Sequence, residues 1–399
     1  MHRRSLDVLA IDPSPVGHHP TYLAQMIAAC CERAMITGFI SNPDLMARPE
    51  IVALLRTYGD LVVPIPQEGR GPPANSSVLL QNLRWWWWIR GRLRAIRSGF
   101  EVHKLLLPCA DYALYAIALL GLPARDVDVY AAALRLSFMQ PTKRSRFSIF
   151  KRLRHLAIQR ILAQRRLKIL FSIDELAVEA IKSKLGKESD KVVYLVDPAR
   201  SATIDSQDAR RSLRLSAGAF AVLVYGDLSS RKGIGLLLDC LERRDLDPRI
   251  IVVVAGAADD TVARLLREHP AATSSGRVHR VSGYVALEVQ DRLFSAADCV
   301  WLAYQGHDGM SGVLVQAAKS GKPAIVSARG LMGHYVKRYG VGIAIPEGNL
   351  SAAVEALNKL ASDPNAGAMM GRNGRIAFSG HSVEEFRRMV GNALSNTYP

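Results

Sequence analysis

Paired cysteines are what this chain most plainly lacks. The five present (Cys30, Cys31, Cys109, Cys240, Cys299) are odd in number and scattered, and no CxxC or Cys/His spacing of the metal-ligand kind joins them. A disulfide framework and a structural zinc site are excluded, and reduced thiols in a cytosolic protein are expected. No long apolar run exists either. The longest, Tyr112 to Ala124, has 13 residues between Asp111 and Arg125, against the roughly 20 that span a bilayer. The Met-His-Arg-Arg start leads straight into an alternating strand pattern, so no signal peptide is expected. Short-period repeats and low-complexity tracts are missing. There is no RNP, helix-turn-helix or zinc signature, which leaves nucleic acid with basic charge as its only support.

Acid is the other scarcity, and it is local. Residues 1–170 hold 24 Lys+Arg against 11 Asp+Glu, whereas residues 171–399 hold 28 against 25. Two blocks carry no acid at all: Arg84 to Arg97, with five arginines around Trp85–Trp88, and Lys143 to Lys168, with ten basic residues. Such a field attracts phosphate, whether on a membrane surface, a lipid-linked substrate or a nucleic acid.

What is present is an alternation of strands and helices. Its 399 residues suit two domains of about 200 each. In the first half, Leu6–Asp12, Ala34–Ile40, Leu61–Pro66, Val102–Pro108, Val127–Leu134, Lys168–Ile173 and Lys191–Pro198 read as strands. In the second half the same holds for Phe220–Gly226, Arg249–Gly256, Val278–Gly283, Cys299–Tyr304 and Pro323–Ser327. Near-continuous apolar strands separated by helical spacing predict parallel sheets. The fold class is therefore α/β, with two Rossmann-like domains, residues 1–198 and 199–380, expected to face each other across a ligand cleft. The polar stretch Ala199–Ala217 reads as the linker, and a terminal helix within 381–399 is expected to pack back on the first domain.

Two loops of the second half carry chemistry. The strand Cys299–Tyr304 runs into a small-residue loop and a helix opening at Ser311 and Gly312. A helix start leaves N–H groups unpaired and presents the positive dipole end, so Gly309, Met310, Ser311 and Gly312 form an anion cradle. Asp308 and Gln316 bracket it and can hold the hydroxyls of a ligand whose phosphates lie there. Upstream, Gly226 ends a strand, and Arg231 and Lys232 precede Gly233 at another helix start. Read alone, that pair is a solvated helix start; beside the first loop it becomes a diphosphate clamp that needs no metal. In the first half the loop Pro13–Pro20 follows the first strand, with Gly17 permitting close backbone approach and His18 or His19 touching sugar or phosphate. A Pro-rich turn with two solvent histidines is the plainer alternative. His307, beside Asp308, is either an assistant or an idle loop residue.

GDLSSRKG (226–233), VSGYVALEVQDRLFSAADCVWLAY (281–304) and HDGMSGVLVQAAKSGKPAIV (307–326) together resemble the donor-binding half of family 4 (group 1) retaining glycosyltransferases of the GT-B fold. The resemblance implies transfer of a sugar from a nucleotide-sugar, with no cofactor or metal beyond that donor. The family's Glu-x7-Glu pair falls on Asp308, near the donor sugar, and Gln316, at the nucleotide ribose. Lys232 falls on the phosphate-binding lysine, Gly283 and Tyr284 on the place where the base packs, and Asp227 where the family usually has an arginine. As implied, Arg231, Lys232 and the cradle stabilise the leaving β-phosphate while Asp308 orients the sugar, so positioning and electrostatics carry the reaction.

The Trp85–Trp88 run, with Arg90 and Arg94, suits a bilayer interface, where indole sits at headgroup level and guanidinium meets phosphate. A sugar-stacking acceptor cleft or a core is the other reading. The expected protein is thus a glycosyltransferase acting on a lipid-linked or polysaccharide acceptor, peripheral on the cytoplasmic face of an anionic membrane. The alternative is a non-catalytic nucleotide- or nucleic-acid-binding protein that reuses the fold.

Overall fold

The computed structural model describes the chain except residues 1–3, 16, 68–70, 72–76, 135, 137–147 and 396–399; the side chains of 148–154 and 271–272 are also outside the description. Much of the basic block from Lys143 therefore lies outside the described residues. The chain divides into two compact units, Met1–Pro198 with Val383–Pro399, and Ala199–Ser382.

Each unit is built on one parallel sheet, because its strands are apolar on both faces and must be covered on both. The first has strands β1 (Arg4–Ala10), β2 (Thr37–Ser41), β3 (Val62–Pro66), β4 (Phe100–Leu107), β5 (Asp128–Ala132), β6 (Leu167–Ser172) and β7 (Val192–Tyr194) in the order β3-β2-β1-β4-β5-β6-β7. Along β1 the side chains alternate, as a strand's period of two requires. Leu9 packs into the core on one face with Trp86 and Leu105, while Val8 and Ala10 enter the other with Leu23 and Phe386. That second core includes the final helix, Val383–Leu394, which packs on the helix His19–Cys31; the Phe386 ring meets Tyr22 edge-on at 5.5 Å, and Lys104 Nζ donates to the Leu394 carbonyl at 2.8 Å.

The second unit holds β8 (Phe220–Tyr225), β9 (Ile250–Gly256), β10 (Val278–Ser282), β11 (Cys299–Leu302), β12 (Ala324–Ser327) and β13 (Gly342–Ile345), ordered β10-β9-β8-β11-β12-β13. Every residue of β9 is buried. The edge strand β13 escapes sequence reading because its four residues, GIAI, include a glycine and are only partly buried. Gly342 is required there: a Cβ would stand 2.0 Å from the Ala324 carbonyl oxygen.

The stretch 199–217 is not a free linker. It contains the helix Ser206–Ser212, whose cap Asp205 accepts the Gln207 and Asp208 N–H groups. The stretch is stitched to the rest of the second unit: before the helix Thr203 donates through N–H and hydroxyl to Asp291 at 2.8 and 2.9 Å, and within it Arg210 pairs with Asp298 at 2.9 Å. Its polarity reflects a surface helix satisfied by ion pairs.

Candidate active site

The order of the second sheet reverses between β8 and β11. Loops leaving those strands at their carboxyl ends diverge there, and doubly wound sheets bind ligands in the resulting crevice. Three glycines shape its floor. Gly226 (φ +95°) and Gly256 (φ +141°) end β8 and β9, and a Cβ on Gly256 would lie 1.9 Å from the Gly226 oxygen. Only glycine allows that approach. Gly283, after β10, donates its N–H to the Gly256 oxygen at 3.2 Å, and Tyr284 beside it is exposed.

From Gly226 the chain passes through a single turn, Ser230–Lys232, to Gly233 (φ +68°), the cap of the helix Ile234–Leu241. This turn presses both cations on Tyr304: the Arg231 guanidinium carbon is 5.1 Å and the Lys232 ammonium 5.5 Å from the ring centroid. Lys232 is only 4% exposed. Its ammonium donates to the Tyr225 carbonyl and meets no carboxylate among the described residues. Arg231 Nη1 lies 3.2 Å from His307 Nδ1, again with no acid paired to it among the described residues. Burying an ammonium without an anion costs several kcal/mol of desolvation, which a bound anion offsets.

The loop after β11 supplies the rest. Ser311 caps the helix Gly312–Lys319, accepting the Val313 N–H at 3.3 Å, and its hydroxyl lies 3.5 Å from that of Tyr304. His307 is wedged between Arg231 and the Met310 carbonyl, 3.3 Å from its Nε2, and its ring lies 3.5 Å from where a Gly309 Cβ would be. The structure brings Arg231, Lys232, His307 and Ser311 together around one ring, Tyr304, which the sequence reading did not single out.

Two expectations are corrected. Asp308 is not an open carboxylate: Arg329 binds both its oxygens, one at 2.9 Å, and Arg329 also reaches Glu347 at 3.8 Å. Any sugar contact uses the remaining lone pairs of Asp308. Gln316, expected at a ribose, is 7% exposed and committed to the chain itself. Its Oε1 accepts the Arg200 N–H at 3.2 Å while Nε2 donates to the Arg200 carbonyl at 2.6 Å. An amide offers both a donor and an acceptor to the backbone N–H and C=O of one residue, which an ionised glutamate at that position does not. Arg329 and Tyr304 lie just beyond the carboxyl ends of β12 and β11, the one signal that would have found them.

In the first unit the sheet order reverses between β1 and β4, and the loops there carry aromatic rings. His18 stacks on His19 (centroids 4.9 Å), His19 on Tyr112 (5.9 Å) and Tyr112 on Trp85 (5.4 Å), all within 18° of parallel. His19 is oriented by Asp12, 2.8 Å from its Nδ1 and equally buried. Gly17 (φ +62°) makes the turn that starts this ladder. His18, His19 and Cys109 bring potential metal-ligand atoms within 4.8 Å of one another. Burial, then Asp111, pushes the Cys109 thiol well above its ordinary range.

The four tryptophans do not act alike. Trp86 is 4% exposed and donates from its indole to the Gly121 carbonyl at 2.7 Å. Arg90 covers the Trp86 ring at 5.6 Å and reaches the Pro123 carbonyl at 3.4 Å. Trp85 and Trp88 lie half-buried against the core, and Trp87 alone stands out, 61% exposed. On the helix Val78–Ile96, Arg84, Trp87 and Arg94 share the outward stripe. The expected membrane contact by Trp86 and Arg90 is thus corrected to a packing role.

Two doubly wound parallel sheets, with a cation-lined switch point in the second, define a Rossmann-like pair of the GT-B type. Residues 205–377, most of the second unit, match the family model described as glycosyl transferases group 1. The whole chain shares its fold with Anabaena HepE in complex with UDP-glucose (17% identity, 98% of this chain and 100% of that one, TM-score 0.68). It shares it also with WaaG, a glycosyltransferase involved in lipopolysaccharide biosynthesis (14%, 97% and 99%, 0.67), and with sucrose-phosphate synthase from Thermosynechococcus elongatus (15%, 99% and 99%, 0.71). No curated protein matches in sequence. Among the described residues, no helix is long and apolar enough to cross a membrane.

Proposed function

We propose that this chain transfers a sugar, with retention of anomeric configuration and without a metal, from a nucleoside diphosphate sugar to a lipid-linked or polysaccharide acceptor at the cytoplasmic face of a membrane. The observation that carries the reading is Lys232, a buried cation with no carboxylate paired to it among the described residues, at a switch point beside Arg231 and a capped helix start. As the glycosidic bond to the diphosphate breaks, negative charge grows on the β-phosphate. Arg231, Lys232 and the N–H groups of 310–312 are suited to receive it, while positive charge at the anomeric carbon lies toward Asp308. Gly226, Gly256 and Gly283 leave a flat backbone floor for the nucleotide. Tyr284 is offered as a rim for the base, and Gln316 holds Arg200 so that the 199–203 segment is a fixed wall. The His18–His19–Tyr112–Trp85 ladder is suited to stacking on sugar rings of the acceptor.

HepE was solved with UDP-glucose, so UDP-sugars are the first donors to offer. The test is turnover: UDP-, GDP-, ADP- and dTDP-sugars are supplied with short glycan and polyprenyl-phosphate-sugar acceptors, and nucleoside diphosphate release and product anomers are read by NMR, with and without EDTA. Product of inverted configuration, or turnover abolished by EDTA and restored by a divalent cation, contradicts the mechanism. Absence of turnover with every donor contradicts the assignment.

A further inference from the structure

The first unit has a second arginine cluster, at the opposite end of its sheet from the aromatic ladder. The loops that lead into β5 and β6, at the amino ends of those strands, surround a cavity of about 410 Å³. Leu119 and Leu120 form a ledge on it, and Arg125, Arg160, Arg165 and Arg166 ring it. Arg166 is paired with Asp128 at 3.0 Å. The other three are exposed and make no ion pair among the described residues, and no acid lines the cavity. Its wall is fixed, because Trp86 and Arg90 hold the Gly121 and Pro123 carbonyls.

The surroundings extend the pattern. The helices Val78–Ile96, Leu114–Leu120 and Ser148–Leu162 lie side by side over one face of the sheet and contain no acidic residue. Among the described residues, seven of the nine large apolar side chains exposed in the first unit are on these three helices, Leu80, Trp87 and Leu156 among them. Exposed leucines and an indole interleaved with unpaired guanidinium groups complement one partner, a surface with anionic phosphates outside and hydrocarbon beneath. A soluble anion would use the arginines and leave the apolar side chains unexplained.

We propose that this helical face seats on an anionic phospholipid bilayer, with a headgroup phosphate held in the arginine-ringed cavity and Trp87, Leu119 and Leu120 in the interfacial layer. This seat deepens the reading of the chain as an enzyme of the membrane face, and nucleotide binding tells the two apart. Each arginine near an anionic surface contributes roughly fivefold in partitioning. R125Q/R160Q/R165Q is therefore expected to lose on the order of 100-fold in co-sedimentation with phosphatidylglycerol–phosphatidylcholine vesicles, with its thermal stabilisation by UDP unchanged. R125K/R160K/R165K, which keeps the charges, is expected within about tenfold of wild type. Wild-type sedimentation of the glutamine variant would overturn the proposal. So would arginine-dependent binding of inorganic phosphate or of a single-stranded oligonucleotide without vesicle binding. Vesicle binding that depends on the arginines, in a protein that no nucleotide stabilises, would leave the seat standing and remove the glycosyltransferase reading.

Discussion

The two units are the same construction loaded differently. Both are parallel sheets whose strand order reverses once, and both place chemistry in the loops leaving the two strands at the reversal. In the second unit that point carries two cations folded on one tyrosine and a floor of close-packed glycines. In the first it carries a ladder of stacked rings and an oriented histidine. The first unit instead has arginines clustered around the distant cavity and along the helix stripe. A sheet fixes where a ligand binds, and the side chains at the switch point fix which ligand it is.

The sharpest test of that division lies within the tryptophan run. Trp86→Ala is expected to destabilise by about 3–5 kcal/mol, the range for truncating a buried aromatic, and Trp87→Ala to stay within about 0.5 kcal/mol, both read by urea unfolding. Similar losses would mean that the run works as one surface. Next in size is the second switch point: Lys232→Met is expected to lower turnover by roughly 100- to 1000-fold, with unfolding stability equal or higher because an unpaired buried charge is removed.

The units should also titrate in opposite directions. Burial raises the Asp197 carboxyl of the first unit to about 6 from 3.8, against the hydrogen bond from Tyr22. Its protonated form is favoured in the fold, so stability present below pH 4 is lost as pH rises through about 6, roughly 3 kcal/mol in all. Burial, then Lys319, lowers His381 of the second unit to about 4 from 6.5. Here stability present above the unfolded value near 6.5 is lost as pH falls toward about 4. Asp197→Asn should flatten the first slope and His381→Asn the second, in thermal scans from pH 4 to 7. The smallest effect concerns the Gln316 clamp: Gln316→Ala should cost about 1–3 kcal/mol for the peptide groups it leaves unpaired, whereas a ribose ligand would show its loss in nucleotide affinity and not in stability.

Much of this was legible in the residues. Strands such as Ile250–Gly256 declare themselves because burial on both faces demands unbroken β-branched runs, and Arg231, Lys232 and the Ser311 cap follow from strand ends and helix starts. Tyr304 was hidden because a strand-terminal aromatic looks like core until two cations are seen on it. Asp308 and Gln316 were read by spacing, which does not show that Arg329, 21 residues on, and Arg200, 116 residues back, would occupy them. Likewise WWWW carries no sign of which indole Gly121 will claim. Long-range partners decide these, and a single sequence does not encode them locally.

The central claim is that Arg231 and Lys232 form a diphosphate site. It is tested most directly by the thermal shift of wild type and Lys232→Met with UDP. At a ligand concentration about 100 times Kd, wild type should gain about 2.7 kcal/mol, several degrees of Tm, and Lys232→Met little or none. An equal shift in both proteins, or no shift in wild type with any nucleoside diphosphate, would contradict it.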